Sequence, residues 1–559
     1  MVSRPGQVAP GCGAPRFGAA LLPPIQTLRL VPDNPHLGGT VLPMQTIRVA
    51  EVLATVSLTT DVAAGMSFEK GLQTCAVATR LARLAGGDDR HVRVVFETAL
   101  LRSIGCTSYA PELAALFGDD VALQAVLKHL DVADDALLDG LTRDFGNWAG
   151  PDPARLARTF LEMFPTVGVQ AMRHGCETSR DLGPRLGVLP ESVAALEDVY
   201  ERWDGRGIPE GRSGADLSPA ARTVHVAEQA VLAYAVGGVG GAVAEVRRRS
   251  GGHLDPALAD VFLATPEAAL APSDTTDAVV PVLEAEPLPH ATVPFGSVPQ
   301  LSAVLARIVD MKSPWLLGHS EHVADLAEGA GRVAGLDEKA LTELRSAALL
   351  HDLGRVVVPA GIWDRPTTLT AAETERVRTH TYWTHRILQR VPALATLAPI
   401  ASAHHERADG GGYHRGDPVR ELPLTARIVA AADMLAALTE PRAHRPAYSL
   451  PDAAKILVRD ADEGGTDKEA CALVLAAAGM SAPRRPLPDG LTDREVQVLR
   501  LAARGLTSRQ AGAELSISPR TVDHHLTHIY DKTGRRTRAG IALYAMEHSL
   551  LPRTDSGNS

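Results

Sequence analysis

The sequence predicts an all-α fold, with two helical bundles in tandem followed by a small four-helix domain. Three observations carry that expectation. Stretches rich in Ala and Leu, with apolar residues at helical spacing, run from 44 to 265 and from 300 to 480. These two stretches repeat one another. A short last segment, 490–552, pairs helix starts with capping residues.

Length and composition set the frame. With 559 residues, 45% apolar and 22% charged, the chain is too long for one core and too apolar for disorder. A formal charge of -10 gives no overall attraction to nucleic acid, so contact with DNA needs a local basic face. The five cysteines, at 12, 75, 106, 176 and 471, form no C-x-x-C pair and leave one over, which fits a reducing cytoplasm. No uninterrupted apolar run stands out as long enough to cross a bilayer, and Arg4 leads into Pro and Gly rather than a signal core. A cytoplasmic protein without a membrane partner is the expectation.

In chain order, residues 1–43 are rich in Pro and Gly and are expected to be disordered; Met44 sits where a start would leave the folded part intact. Thr46-Ile47-Arg48-Val49 opens the first bundle, 44–265, and the Pro, Thr and Asp-rich stretch 266–299 reads as a linker. The second bundle occupies 300–480, and the Pro-rich run from Ser481 to Asp489 reads as a second linker. In the last segment helices are expected over 493–504, 508–515 and 519–533, with a fourth after Thr537. Gly505 ends the first, Ser508 caps the second, and Ser518-Pro519 places an N-cap before a Pro at N1.

The repeat is legible in two motifs in the same order. Ala99-Leu100-Leu101-Arg102-Ser103-Ile104-Gly105 mirrors Ala348-Leu349-Leu350-His351-Asp352-Leu353-Gly354, and Glu201-Arg202-Trp203-Asp204-Gly205 mirrors Glu406-Arg407-Ala408-Asp409-Gly410. Ala221-Arg222 leading to Glu228 parallels Ala426-Arg427 leading to Asp433, and His174 aligns with His380. The first copy carries extra residues between Ser103 and His174.

The chemistry differs between the copies. In the second, His319, His351, Asp352, His380, His404, His405 and Asp433 are spread over helical positions that a bundle can bring together. Any one histidine alone is more often a core or solvated residue, but adjacent His404-His405 with His351-Asp352 is not an ordinary core pattern. Imidazole and carboxylate suit first-row divalent ions, and two such ions can clamp a phosphoryl group and generate a hydroxide near neutral pH.

At these residues the segment from about 305 to 450 resembles an HD-GYP domain of the HD phosphohydrolase superfamily. The motifs are Gly318-His319-Ser320, His351-Asp352-Leu353-Gly354, Pro366 to Leu369 before His380, His404-His405-Glu406-Arg407, Asp409-Gly410-Gly411-Gly412-Tyr413 and Ala426-Arg427 to Asp433. The resemblance implies an HD-type bundle whose seven His and Asp residues named above hold two or three iron or manganese ions, two being the number expected here, and a phosphodiesterase acting on cyclic di-GMP. It further implies catalytic roles for Asp352 and Arg355 and substrate contacts from Arg355, Asp409 and Tyr413. Three positions depart from the family pattern: Arg355 stands where Lys is usual, His414 where Pro is usual, and Trp315 where three-metal members have Glu. The first copy resembles the family in outline. Arg102-Ser103 and Val199-Tyr200 supply no comparable ligands, so a metal-free repeat that pairs with the second copy or senses a ligand is expected.

The last segment closely resembles the LuxR C-terminal helix-turn-helix domain, through Leu491-Thr492-Asp493-Arg494-Glu495, Ala503-Arg504-Gly505-Leu506-Thr507, Ile517-Ser518-Pro519-Arg520-Thr521-Val522 and Lys532-Thr533-Gly534. That resemblance implies a homodimer on double-stranded DNA, with Ser508, Arg509, Arg520, Thr521, Asp523, His524, Thr527 and Lys532 at the interface and Val522 and Leu526 packing inward. Asp523 takes a groove-facing position where a basic or amide residue is common, and Gly512 is expected to loosen the second helix.

Three readings stand side by side. The first is a transcription regulator whose LuxR-type head is controlled by the HD repeats. The second is a metal-dependent phosphodiesterase with an accessory head, and the third an inactive HD scaffold that senses or dimerises. No receiver-domain or P-loop pattern stands out in the sequence.

Overall fold

The computed structural model describes residues 46–550 except 130, 132–136, 147–151, 272–276, 408, 417–420, 481–487, 504, 536, 538–539, 542–543, 546–547 and 549. The lead 1–43 and nearly all of the second linker lie outside the described residues. The chain divides into two compact units, Met1–Met480 and Ser481–Ser559. Apart from one short two-stranded ribbon, the named elements are helical.

In the first unit the duplication reaches the helix caps. Helix Lys70–Leu84 starts after Glu69 at φ 74 and helix His319–Val333 after Gly318 at φ 81. The next helix of each copy, Asp89–Leu101 and Glu338–Leu350, is N-capped by an aspartate, Asp88 accepting from His91 N and Asp337 from Ala340 N. The extra residues of the first copy form helices Ala110–Phe117, Asp120–His129, Leu137–Phe145 and Pro153–Met163 around a small core of Phe117, Leu123, Leu141, Phe145, Ala157 and Phe160.

The stretch 266–299 is no free spacer. It supplies helices Pro266–Leu270 and Val279–Ala285 and strand Thr292–Pro294, which pairs antiparallel with Thr46–Arg48. Leu270, Val279, Val282 and Val293 are buried in one core with Leu53, Leu72 and Val95 of the first copy and Leu350 and Leu397 of the second. Its prolines read as breakers, yet Pro266 opens a helix, where a missing N–H costs nothing. The two repeats therefore share a core, and a second cluster, from Ala306 to Leu475, belongs to the second copy.

Helix Pro219–Arg249 is long and apolar enough to cross a membrane by length and composition alone. It is interrupted at Gly237 (φ -129) and Gly238 (φ 57), and its first part, from Ala220 to Leu232, is built into the core.

In the second unit, helices Asp493–Ala503, Ser508–Glu514 and Pro519–Thr533 enclose Val498, Leu499, Val522, Leu526 and Ile529. The second helix is capped by Thr507, in a capping box with Gln510, rather than by Ser508. Gly512 does not loosen the packing. A Cβ there would stand 2.7 Å from Ile517 O, so only glycine admits this turn.

Candidate metal centre and nucleic-acid interface

Three helices and the two turns that follow helices deliver the second-copy cluster. His319 opens helix His319–Val333, His380 sits in Ala371–Arg390, and Asp433 in Leu424–Thr439. His351-Asp352 caps helix Glu338–Leu350, and His404-His405 follows helix Ala398–Ala401. Gly354 makes the assembly possible: a Cβ there would fall 1.9 Å from His380 O, so the absence of a side chain lets the His380 helix press against the His351-Asp352 turn. Gly105 does the same in the first copy, where a Cβ would meet Gly175 Cα at 2.4 Å.

All seven expected ligands converge. His319, His351 and Asp433 form one group of ligand atoms and His380, His404 and His405 another, each within 4.8 Å of one another. Asp352 stands between them. Its Oδ2 lies 2.9 Å from His351 Nε2 and 3.8 Å from His319 Nε2, and its Oδ1 lies 3.5 Å from both His380 Nε2 and His404 Nε2. One oxygen thus faces each triad, as a bridging carboxylate requires.

The histidine rings are fixed by their far sides. Nδ1 of His351, His380 and His404 donates to the carbonyl three residues back, at Ala348, Val377 and Ala401, over 2.6–2.7 Å. That assigns the proton to Nδ1 and leaves Nε2 as a lone-pair donor. His380 Nε2 and His404 Nε2 then meet at 3.1 Å, although neither carries a proton in that tautomer. Asp352 Oδ2 is approached by His351 Nε2 at 2.9 Å and Arg355 Nε at 2.6 Å, while its buried Oδ1 has no hydrogen-bond partner among the described residues. A buried carboxylate oxygen that faces unprotonated imidazole nitrogens is costly unless a cation satisfies it, so the donor set fits divalent metal.

The electrostatics agree. Burial alone would raise Asp352, but Arg355 and His351 outweigh it and hold the carboxyl well below the usual range. Asp433 is likewise held low against burial by His319 and His351. Burial pushes His380 down to about 3, and burial with His404 holds His405 well below its ordinary value, so both rings are neutral. His319 goes the other way, since hydrogen bonds to Asp433 and Glu440 outweigh its burial and raise it to about 9. A metal at that nitrogen displaces a proton.

Among the other expected site residues, Arg355 is buried with Nε 2.6 Å from Asp352 Oδ2 and its guanidinium over Trp363 at 4.8 Å. Tyr413 stacks on His405 at 4.7 Å between ring centroids. Asp409 is exposed, and its Oδ1 accepts from Gly411 N at 2.8 Å, a turn-forming bond within the loop.

Several neighbours were not foreseen. Glu440 accepts from His319 Nδ1 and His322 Nδ1, each at 2.8 Å, and is braced by Arg442 at 3.0 Å. Its spacing of seven from Asp433, two helical turns on the same face, is a signal that could have found it. Trp363 and Asp310, the latter accepting from Ser320 Oγ at 2.7 Å, gave no such signal.

In the C-terminal unit, Arg520, Thr521, Asp523, His524 and Thr527 lie exposed on helix Pro519–Thr533, while Val522 and Leu526 are buried beneath them. Arg509 is exposed at the start of the preceding helix. Asp523 is not free: its Oδ1 accepts from Ser508 Oγ at 2.6 Å, tying the two helices together. Lys532 is also engaged, donating to Glu495 Oε2 at 2.8 Å and Gly490 O at 2.9 Å. Arg509 and Arg520 are exposed cations on these two helices.

Comparison with known proteins follows the same division. Residues 303–469 match the HD domain family, and residues 489–545 match the bacterial regulatory proteins of the luxR family. The 3'3'-cGAMP-specific phosphodiesterase 3 of Vibrio cholerae is 27% identical over 421 residues, covering 74% of this chain and 91% of that protein. A cyclic di-GMP phosphodiesterase of Thermotoga maritima is 39% identical over 137 residues, 24% of this chain and 37% of its own length. The crystal structure of the cyclic GMP-AMP specific phosphodiesterase V-cGAP3 of V. cholerae superposes with TM-score 0.54 at 24% identity, covering 80% of this chain and 100% of that one. That likeness is one of fold, and it extends over both repeats.

Proposed function

We propose that this chain, which joins an HD domain over residues 303–469 to a luxR-family domain over 489–545, is a DNA-binding transcription regulator. Its head answers to a second repeat that holds two divalent ions, iron or manganese, and hydrolyses a cyclic dinucleotide. The observation that carries the reading is Asp352, with one oxygen toward each triad of candidate ligands. His319, His351 and Asp433 would hold one ion and His380, His404 and His405 the other, with Asp352 shared. Such ions supply Lewis-acid activation of water and neutralise a phosphodiester's charge.

The chain's own groups do the rest. Nδ1–H bonds to backbone carbonyls orient the rings and keep their Nε2 atoms unprotonated. The Arg355 guanidinium brings a permanent positive charge beside Asp352, where a phosphate oxygen gains most from it. Tyr413, stacked on His405 and with Arg378 over its ring, covers one side of the cluster. The names of the relatives support a cyclic dinucleotide as the substrate class. In the head, Arg509, Arg520, Thr521, His524 and Thr527 would face DNA, as a homodimer on a two-fold site.

A second reading draws on one observation. Arg355 Nε is 2.6 Å from Asp352, so a guanidinium can balance the bridging carboxylate without metal, which favours a catalytically silent scaffold. Elemental analysis of anaerobically purified protein, with turnover of cyclic di-GMP and 3'3'-cGAMP, separates the two. About two ions per chain and turnover, both lost in His351→Ala/Asp352→Ala, support the enzyme. A full complement of metal without turnover leaves the scaffold. Absence of metal removes the catalytic half altogether.

A further inference from the structure

The first repeat has rebuilt the metal position with cations. Lys70 opens its helix where His319 opens the matching one, Arg102 stands where His351 stands, and Glu228 takes the place of Asp433. Lys70 and Arg102 both pair with Glu228, whose side chain is 1% exposed. Helix Asp120–His129, which the second copy lacks, brings in Lys128, 4.0 Å from Glu228 Oε1.

The hydrogen bonding there is incomplete. Arg102 Nε and Nη1 are buried with no partner, and the ion pair of Lys128 is longer than a hydrogen bond. Three cations thus surround one carboxylate in a region where burial is costly for charge. Burial and Arg102 together hold the Lys128 ammonium below its ordinary pKa, a cost that a further anion relieves.

Beside these cations lies a cavity of about 90 Å³. Lys128, Tyr200 and Cys106 are among its lining residues, and so are Phe117, Phe160 and Met172. A cavity of about 150 Å³ accommodates benzene, so this smaller one suits a ligand of fewer than about six heavy atoms.

We propose that this cavity binds a small carboxylate with an apolar body, its tail among Phe117, Phe160 and Met172 and its head on Lys128. The first repeat is then a ligand-sensing module that uses neither metal nor phosphoester chemistry. An apolar tail alone does not account for an ammonium group in the wall. An inorganic anion alone does not account for the aromatic lining. Only an amphipathic anion satisfies both.

The test is titration calorimetry of the full chain with propionate, and with propan-1-ol as the uncharged probe. Propionate is expected to bind, and Lys128→Met to weaken it at least about tenfold, the value of a hydrogen bond to a charged group, while propan-1-ol binding stays within about twofold. Ala171→Phe, which fills the cavity from a buried lining position, should abolish both. The His351→Ala/Asp352→Ala variant should bind propionate as the wild type does, which keeps this result independent of the second repeat. Failure of the wild type to bind propionate at millimolar concentration, equal affinity for acid and alcohol, or propionate affinity unchanged in either cavity variant would overturn the proposal.

Discussion

Replacing Glu228 with Gln should unfold the first unit far more readily than an ordinary polar exchange. The carboxylate is buried against Lys70 and Arg102, and burial, which would raise it, is outweighed by Arg102, Lys70 and Lys128, which hold it well below the carboxylate range. A neutral amide leaves those cations buried without a counter-charge. Breaking one partner out of a buried ionic cluster costs about 3–5 kcal/mol, whereas losing an exposed pair costs about 0–1 kcal/mol. The sign with pH follows from the depressed pKa. The stabilisation is complete above the ordinary value of 4.5 and is lost as pH falls through the folded value, so the deficit of the variant should shrink in acid. Urea unfolding followed by tryptophan fluorescence measures this cleanly, because all five tryptophans, at 148, 203, 315, 363 and 383, precede residue 480. The quadruple variant Lys70→Met/Arg102→Met/Lys128→Met/Glu228→Leu removes every charge of the cluster and should recover most of the loss. A Glu228→Gln cost below about 1 kcal/mol at neutral pH would refute the buried-triad account.

Three other outcomes are expected. Glu440→Gln, which removes the acceptor behind His319, should weaken metal binding about 10–100-fold in a chelator competition and leave the fold intact. His225 is pushed from 6.5 to about 4 by burial and Arg102, so the unfolded chain takes up a proton that the folded chain refuses; stability should fall as pH drops from 6.5 toward 4, and His225→Phe should flatten that slope in denaturation series. Arg520→Ala should weaken DNA binding across sequences and reduce the salt slope of log K by about one, measured by fluorescence anisotropy, whereas Lys532→Ala should act mainly on stability through Glu495.

Much of the architecture was readable before any coordinates, for physical reasons. Helical periodicity, caps and an internal repeat are local properties of the chain, and they yield an all-α fold, a duplicated bundle and a separate head. The residues that converge, His319, His351, Asp352, His380, His404, His405 and Asp433, were identifiable because adjacent His404-His405 with His351-Asp352 is not an ordinary core pattern and because their motifs resemble those of an HD-GYP domain.

What the sequence could not express was distance. The stretch 266–299 looked like a spacer because its prolines were counted as breaks, and only the packed structure shows Val279, Val282 and Val293 completing a core that both repeats share. Asp523 looked like a free groove-facing carboxylate until Ser508 was found 2.6 Å away across two helices. The partition of the seven candidate ligands into two triads with Asp352 between them and the cations Lys70, Arg102 and Lys128 gathered on Glu228 are contacts between residues far apart in the chain. Local chemistry selected the elements and the ligand types. Burial, which only the folded chain creates, decided which charges meet and what each must do.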